Sequence, residues 1–292
     1  MATKETVAVL GAGGTMGLAI ARNLARDGFE IRAWNRSPGK AQPLSEDGAT
    51  VAGTAAEAAE GASVVLSILS DTDAVMESML GEDGALSAKL AERPIWLQMS
   101  TVGEAGTERC AELAREHDLE FVDTPVLGTK APAEQGLLVV LASGPERVRD
   151  RVQPIFDVIG QRTMWVGEAG AGTRLKLATN SWILAVVEGG AETVALAEGL
   201  GLDPQLVLDA IEGGPLDLPY LRMKGKAIME RDFDPSFRLS LAAKDAALVQ
   251  EAAERRDLDL PLVRTVRQRL SEGVAEHGDK DMSATYLTSA SA

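Results

Sequence analysis

The chain has 292 residues, 45% hydrophobic and 25% charged, with a formal net charge of −15. That length suits two domains with full apolar cores. So acidic a surface repels phosphate backbones and anionic membranes, which argues against nucleic-acid and membrane partners. In chain order, Thr6–Leu10 is a short apolar run that stops at glycines and reads as a strand, and 16–26 carries a helical period. Glu30–Trp34 reads as a second strand, and 63–69 and 95–99 as buried strands. Helical stretches fall at 37–47, 72–79 and 104–116, and two more strands at Glu120–Asp123 and 137–141. Such alternation predicts a parallel sheet with helices on both faces. Beyond Gly167 strand signals nearly vanish. Ala171–Gly199 is a long Ala- and Leu-rich helix, followed by helical segments at 204–211, 240–255 and 261–273. The chain therefore divides into an α/β domain, 1–166, and an all-α domain, 167–292. The small, polar tail 283–292 is expected to fray.

The single cysteine, Cys110, cannot form an internal disulfide, so the chain is expected in a reducing cytoplasm, with Cys110 as a small buried residue. The two histidines, His117 and His277, lie at expected helix ends, and no Cys/His cluster has metal-ligand spacing. The run Met1-Ala2-Thr3-Lys4-Glu5 leads straight into the first strand, with no signal-peptide stretch and no apolar run of membrane-spanning length anywhere.

The sequence Gly11-Ala12-Gly13-Gly14-Thr15-Met16-Gly17 ends the first strand and opens the first helix. Glycines there let the backbone approach a pyrophosphate, and the helix N-terminus supplies N–H groups and a partial positive charge. Gly11, Gly13, Gly14, Thr15 and Met16 are the candidate contacts. Gly11, Gly13 and Gly17 stand one and three residues apart, where the usual fingerprint has one and two, so the turn holds one extra residue. The second strand ends in Asn35-Arg36-Ser37, with Lys40 close behind and no Asp or Glu to hold ribose hydroxyls. Arg36 can pair with a 2′-phosphate through its planar fork, and Asn35 and Ser37 can donate neutral hydrogen bonds. The expected cofactor is NADP(H).

The long helix opens with Gly170-Ala171-Gly172-Thr173-Arg174-Leu175-Lys176-Leu177-Ala178-Thr179-Asn180. Lys176 and Asn180 are four apart and share one face. That face continues to Ile183 and Val187, so Lys176 points toward packed surface, where a lysine can serve as general acid or base. The stretch 181–202 is apolar around too much of its circumference for a lone surface helix.

These segments, with Ser100-Thr101-Val102, Asp123-Thr124-Pro125-Val126-Leu127-Gly128-Thr129-Lys130 and Lys244-Asp245, occur in the order and spacing of one family. The chain resembles the β-hydroxyacid dehydrogenases, which include 3-hydroxyisobutyrate dehydrogenase, tartronate semialdehyde reductase and glyoxylate/succinic semialdehyde reductase. The resemblance implies a Rossmann-type dinucleotide-binding domain followed by an all-α domain that commonly forms homodimers or homotetramers. It implies hydride transfer to or from a small aldehyde, keto acid or 3-hydroxy acid. Lys176 matches the catalytic lysine and Asn180 the asparagine that holds substrate. Thr101 and Lys244 match contacts to the nicotinamide end, with Thr101 also near substrate, and Leu69 and Ser70 match the loop beside ribose and phosphates. Gly128 and Thr129 match the substrate-anchoring segment, and Lys130 offers positive charge to an acid group. The family's serine before that glycine is Leu127 here, which cannot donate a hydrogen bond. Two rival readings are imine reduction and a non-catalytic NADPH-binding protein. Lys176, Asn180 and Lys244 together favour carbonyl chemistry.

Overall fold

The computed structural model describes residues 5–289. They form two compact units whose boundary falls between Lys176 and Leu177, inside one long helix.

The first unit opens with β1 (Thr6–Leu10), α1 (Thr15–Arg26), β2 (Glu30–Trp34), β3 (Thr50–Val51), α2 (Ala55–Ala59) and β4 (Val64–Ser67). It continues with α3 (Thr72–Leu80), β5 (Ile95–Gln98), α4 (Gly103–Glu116) and β6 (Glu120–Asp123). These strands make a six-stranded sheet in the order β3-β2-β1-β4-β5-β6, all pairs parallel. Period-two geometry explains the continuous apolar runs. Val7 and Val9 enter one core with Ile20 and Leu24 of α1, while Ala8 and Leu10 enter the opposite core with Val75, Met79 and Leu113. Burying each large aliphatic side chain contributes about 1.5–3 kcal/mol. Strand order reverses between β1 and β4, and doubly wound sheets bind ligands at that reversal, beyond the carboxyl ends of the strands.

Two sequence expectations change here. The segment 37–47 is not an α-helix but two 3₁₀ turns, Pro38–Lys40 and Gln42–Asp47. Pro38 and Pro43 lack backbone donors, and Gly39 weakens the helix further. The expected strand 137–141 does not join the parallel sheet. After β7 (Val126–Leu127) and α5 (Lys130–Glu134), it forms β8 (Leu138–Ala142), followed by α6 (Arg149–Ile159) and β9 (Gly160–Trp165). These strands make a separate sheet, β7-β8-β9, with β7 and β8 antiparallel. The connection 128–137 is too short for a parallel crossover, so β8 returns antiparallel to β7.

α7 (Ala171–Gly199) carries the chain into the second unit, followed by α8 (Gln205–Ile211), α9 (Pro219–Met229), α10 (Leu239–Glu254), α11 (Pro261–His277) and α12 (Tyr286–Ser289). Leu184 and Val187 of α7 pack with Leu239, Ala242 and Ala246 of α10 and with Val266 and Leu270 of α11. The tail does not fray over 283–289. Residues 282–285 form a 3₁₀ turn that leads into α12, and Met282 through Tyr286 are buried. Thr285 helps make this tail look polar, but its hydroxyl is spent inside, where Oγ1 donates to Glu188 Oε2 at 2.6 Å. Just before it, Asp281 Oδ1 receives Lys224 Nζ at 2.7 Å, with both side chains nearly sealed from solvent. Removing one partner of such a pair costs about 3–5 kcal/mol. Residues 290–292 of that expected tail, and Met1 through Lys4, lie outside the described residues.

Candidate active site

The glycine turn is a cradle with no room for side chains at three positions. Gly11 has φ +93°, and a Cβ there would lie 2.2 Å from the Ile68 carbonyl oxygen. A Cβ at Gly17 would lie 2.2 Å from the Gly11 carbonyl oxygen, and one at Gly13 would lie 2.6 Å from Lys40 Cβ. Gly14 is exposed and serves as N-cap of α1. Hydrogen bonds sort the amides. Gly11 and Ala12 donate to the Trp34 carbonyl, Gly13 to Asn35 Oδ1 at 3.2 Å and Gly14 to the Gly11 carbonyl. No side chain caps α1. The N–H groups that helix geometry leaves for an anion are therefore those of Thr15, Met16 and Gly17. The cradle and the uncapped helix start fit a dinucleotide pyrophosphate.

Asn35, Arg36 and Ser37 follow β2 directly. Asn35 is occupied in the loop: Oδ1 accepts from Gly13 and Nδ2 donates to the Ser37 carbonyl at 3.1 Å. Arg36, Ser37 and Lys40 are exposed, and residues 35–40 include no carboxylate. Past β4, the Leu69 amide donates to Ser100 Oγ at 2.9 Å, and the Ser70 hydroxyl donates to Asp71. Gln98, the fully buried last residue of β5, grips both backbone groups of Ser100 and so fixes the approach to Thr101. The expected cofactor residues of the first unit thus gather beyond the carboxyl ends of β1, β2, β4 and β5.

The half-buried Lys176, in the second turn of α7, donates from Nζ to the Val126 carbonyl at 2.8 Å. Val126 immediately precedes Leu127, Gly128 and Thr129. Leu127 is half-buried and pairs with Val139 of β8. Gly128 (φ +123°) and Lys130 are exposed, and Thr129 is half-buried. Cys110 is sealed in the core, where burial and then the nearby Asp123 push its thiol up to about 12, so it stays protonated and unreactive.

In the second unit, buried Asp245 joins two expected site residues: Asn180 Nδ2 donates to Asp245 Oδ2 at 2.7 Å, and Lys244 Nζ lies 3.0 Å from Oδ1. With Nδ2 committed, Asn180 offers its carbonyl oxygen to a hydroxyl or ammonium. Asp245 therefore links the two side chains, a contact the sequence reading did not include. Its sequence signal was its place beside Lys244 on a helix, which does not reveal that its carboxylate turns inward to Asn180.

A doubly wound sheet with a glycine cradle at its strand-order reversal, a partly buried lysine and a helical second unit defines a nicotinamide-dinucleotide oxidoreductase acting on CH–OH groups. Residues 6–167 match the NAD binding domain of 6-phosphogluconate dehydrogenase, and residues 170–288 match the NAD-binding domain of NADP-dependent 3-hydroxyisobutyrate dehydrogenase. The chain belongs to the β-hydroxyacid dehydrogenase family. It is 30% identical over 272 residues to glyoxylate/succinic semialdehyde reductase 1 of Arabidopsis thaliana, covering 93% of this chain and 94% of that one. It is 31% identical over 267 residues to 2-hydroxy-3-oxopropionate reductase of Escherichia coli, covering 91% of each. The structure of Mycobacterium tuberculosis 3-hydroxyisobutyrate dehydrogenase with L-serine aligns with a TM-score of 0.86 at 26% identity, over 98% of this chain and 99% of that one. Among the described residues, no helix is long and apolar enough to cross a membrane.

Proposed function

We propose that the chain reduces the carbonyl of a small aldehyde acid or keto acid, giving the hydroxy acid, with NADPH supplying the hydride and Lys176 the proton, and that the reverse oxidation uses Lys176 as base. The observation that carries this reading is the 2.8 Å hydrogen bond from Lys176 Nζ to the Val126 carbonyl. It ties the ammonium to the segment that leads into Leu127, Gly128 and Thr129. When bound, NADPH supplies the hydride. Lys176 holds a proton at Nζ and releases it to the carbonyl oxygen as negative charge develops there; such general acids contribute about 10²–10⁴ in rate. Asn180 accepts from the substrate hydroxyl or steadies the ammonium, and Asp245 holds its amide. The amides of Thr15 and Met16 take the pyrophosphate, and Gly11, Gly13 and Gly14 shape the turn that lets it come close. Arg36 and Ser37 take the 2′-phosphate, with Asn35 bracing their loop. Leu69 and Ser70 line the ribose, and Thr101 and Lys244 serve the nicotinamide end. Residues 1–166 form the cofactor domain, and 167–292 form the domain for substrate and self-association. NADP use favours reduction in the cell, and a single buried thiol suits a reducing cytoplasm.

Substrate choice turns on Leu127. Without a hydroxyl there, the substrate's acid group is left to Thr129, the amides of Gly128 and Thr129, and Lys130. The test follows NADPH consumption with glyoxylate, succinic semialdehyde, uncharged aldehydes of similar size and cyclic imines, in the native enzyme and in Leu127→Ser. Native enzyme is expected to turn over the acid aldehydes. Leu127→Ser is expected to lower KM for them about tenfold, the worth of one hydrogen bond to a charged group, with little change for uncharged aldehydes. Consumption of NADPH with imines alone, or with no substrate, would reject the reading.

Trp182 and Leu196 of α7 and Leu200 just past its end are 63%, 63% and 67% exposed, an apolar surface that supports a homodimer or homotetramer. Sedimentation at micromolar concentration is expected to give an assembly; a monomer throughout would contradict it.

A further inference from the structure

Asp123 is the last residue of β6 and is wholly buried. Its carboxylate takes no part in the chemistry proposed above, yet three donors converge on it. The Thr173 amide donates to Oδ2 at 2.8 Å, the Thr173 hydroxyl to Oδ1 at 2.8 Å and the Ser143 hydroxyl to Oδ2 at 3.1 Å. Thr173 lies in the first turn of α7, where amides lack intrahelical acceptors. Ser143 extends the grip: its Oγ accepts from the Gly172 amide at 2.9 Å, and its backbone exchanges two hydrogen bonds with that of Asp123. Gly172 lets the helix press onto the strand ends, since a Cβ there would lie 2.3 Å from the Leu141 carbonyl oxygen.

The spacing gives the arrangement its meaning. Asp123 grips Thr173 through its side chain, and three residues later Val126 grips the Lys176 ammonium through its carbonyl. Thr173 and Lys176 are also three apart, neighbours on one helix face. One short stretch, 123–126, therefore fixes both the start of the helix and the end of the lysine it carries. Burial pushes the Asp123 carboxyl upward, and the Thr173 and Ser143 donors oppose that shift. A buried carboxylate is costly to keep. An asparagine of the same size would present an N–H₂ group to one of these donors and lose an acceptor.

We propose that Asp123 is a positioning residue that holds the first turn of α7 so that the Lys176 ammonium stays aligned for proton transfer. This rests on the reading of Lys176 as the proton donor. The test is a double-mutant cycle on the full-length enzyme with Asp123→Asn and Lys176→Ala, with NADPH affinity read separately by fluorescence. Asp123→Asn is expected to lower kcat about 100-fold, the scale of a small misplacement, with NADPH Kd within about twofold of native. In the Lys176→Ala background it is expected to cost almost nothing more, because both changes act through one group. Thr173→Val keeps the acid but removes one donor, so it covers the case in which Asp123→Asn fails to fold. It is expected to lower kcat in the same direction, and Thr173→Ser to restore it. Equal losses in both backgrounds, or native kcat in Asp123→Asn or Thr173→Val, would overturn the positioning role. Native turnover in Lys176→Ala would overturn the reading of Lys176 itself, and with it this inference.

Discussion

Lys176→Ala is expected to lower kcat by about three orders of magnitude while leaving NADPH Kd within about twofold. The two readouts separate because the groups are separate. The dinucleotide cradle consists of backbone at Gly11 through Gly17 and the loop after β2, and none of it rests on the lysine side chain. The loss appears in kcat because the proton is needed only as the carbonyl oxygen becomes an alkoxide. Lys176→Arg is expected to recover little, since a guanidinium stays protonated and delivers its charge in a planar fork. Rapid mixing of enzyme, NADPH and a good acid aldehyde checks this. Native hydride transfer rates in Lys176→Ala would remove the lysine from the mechanism.

Arg36→Ala is expected to reduce kcat/KM for NADPH about 10–100-fold and leave that for NADH nearly unchanged, the loss of charge-assisted hydrogen bonds to one phosphate. The chain carries a net charge of −15, so an anionic 2′-phosphate needs local positive charge, and Arg36 and Lys40 stand exposed beside the end of β2. Asn35 is expected to behave differently. Its side chain joins Gly13 to Ser37, so its loss should weaken both cofactors rather than change the preference. Steady-state kinetics with both cofactors at fixed ionic strength provides the measurement. Equal losses for NADH and NADPH in Arg36→Ala would show that Arg36 does not read the phosphate.

Much of the fold is legible in the sequence because its strands are buried on both faces. The run Thr6–Leu10 is of this kind, while Glu30–Trp34 is legible through its alternation, with Ile31 and Ala33 buried between more exposed residues, and the structure keeps both bounds. The helix Ala171–Gly199 also keeps its bounds. Periodicity failed where length and local chemistry decide. The 37–47 segment contains apolar residues at helical spacing, but its prolines and glycine favour tight turns. The strand near 138 reads like the others, and its antiparallel pairing with the two-residue β7, which carries no strand signal of its own, places it in a second sheet. Lys176, Asn180 and the glycines carry legible signals because side-chain type and spacing state their chemistry. The anchoring role of Asp123 has no such signal. A lone acid at a strand end looks the same whether it faces water or closes onto a helix fifty residues later in the chain, and only tertiary contact with Thr173 distinguishes the two.

The most direct test of the account is a crystal structure of the enzyme with NADP⁺ and a slowly turned-over hydroxy acid. Lys176 Nζ is expected within about 3.2 Å of the substrate oxygen, with Arg36 against the 2′-phosphate. An ammonium turned to solvent, with the substrate oxygen held by another group, would contradict it.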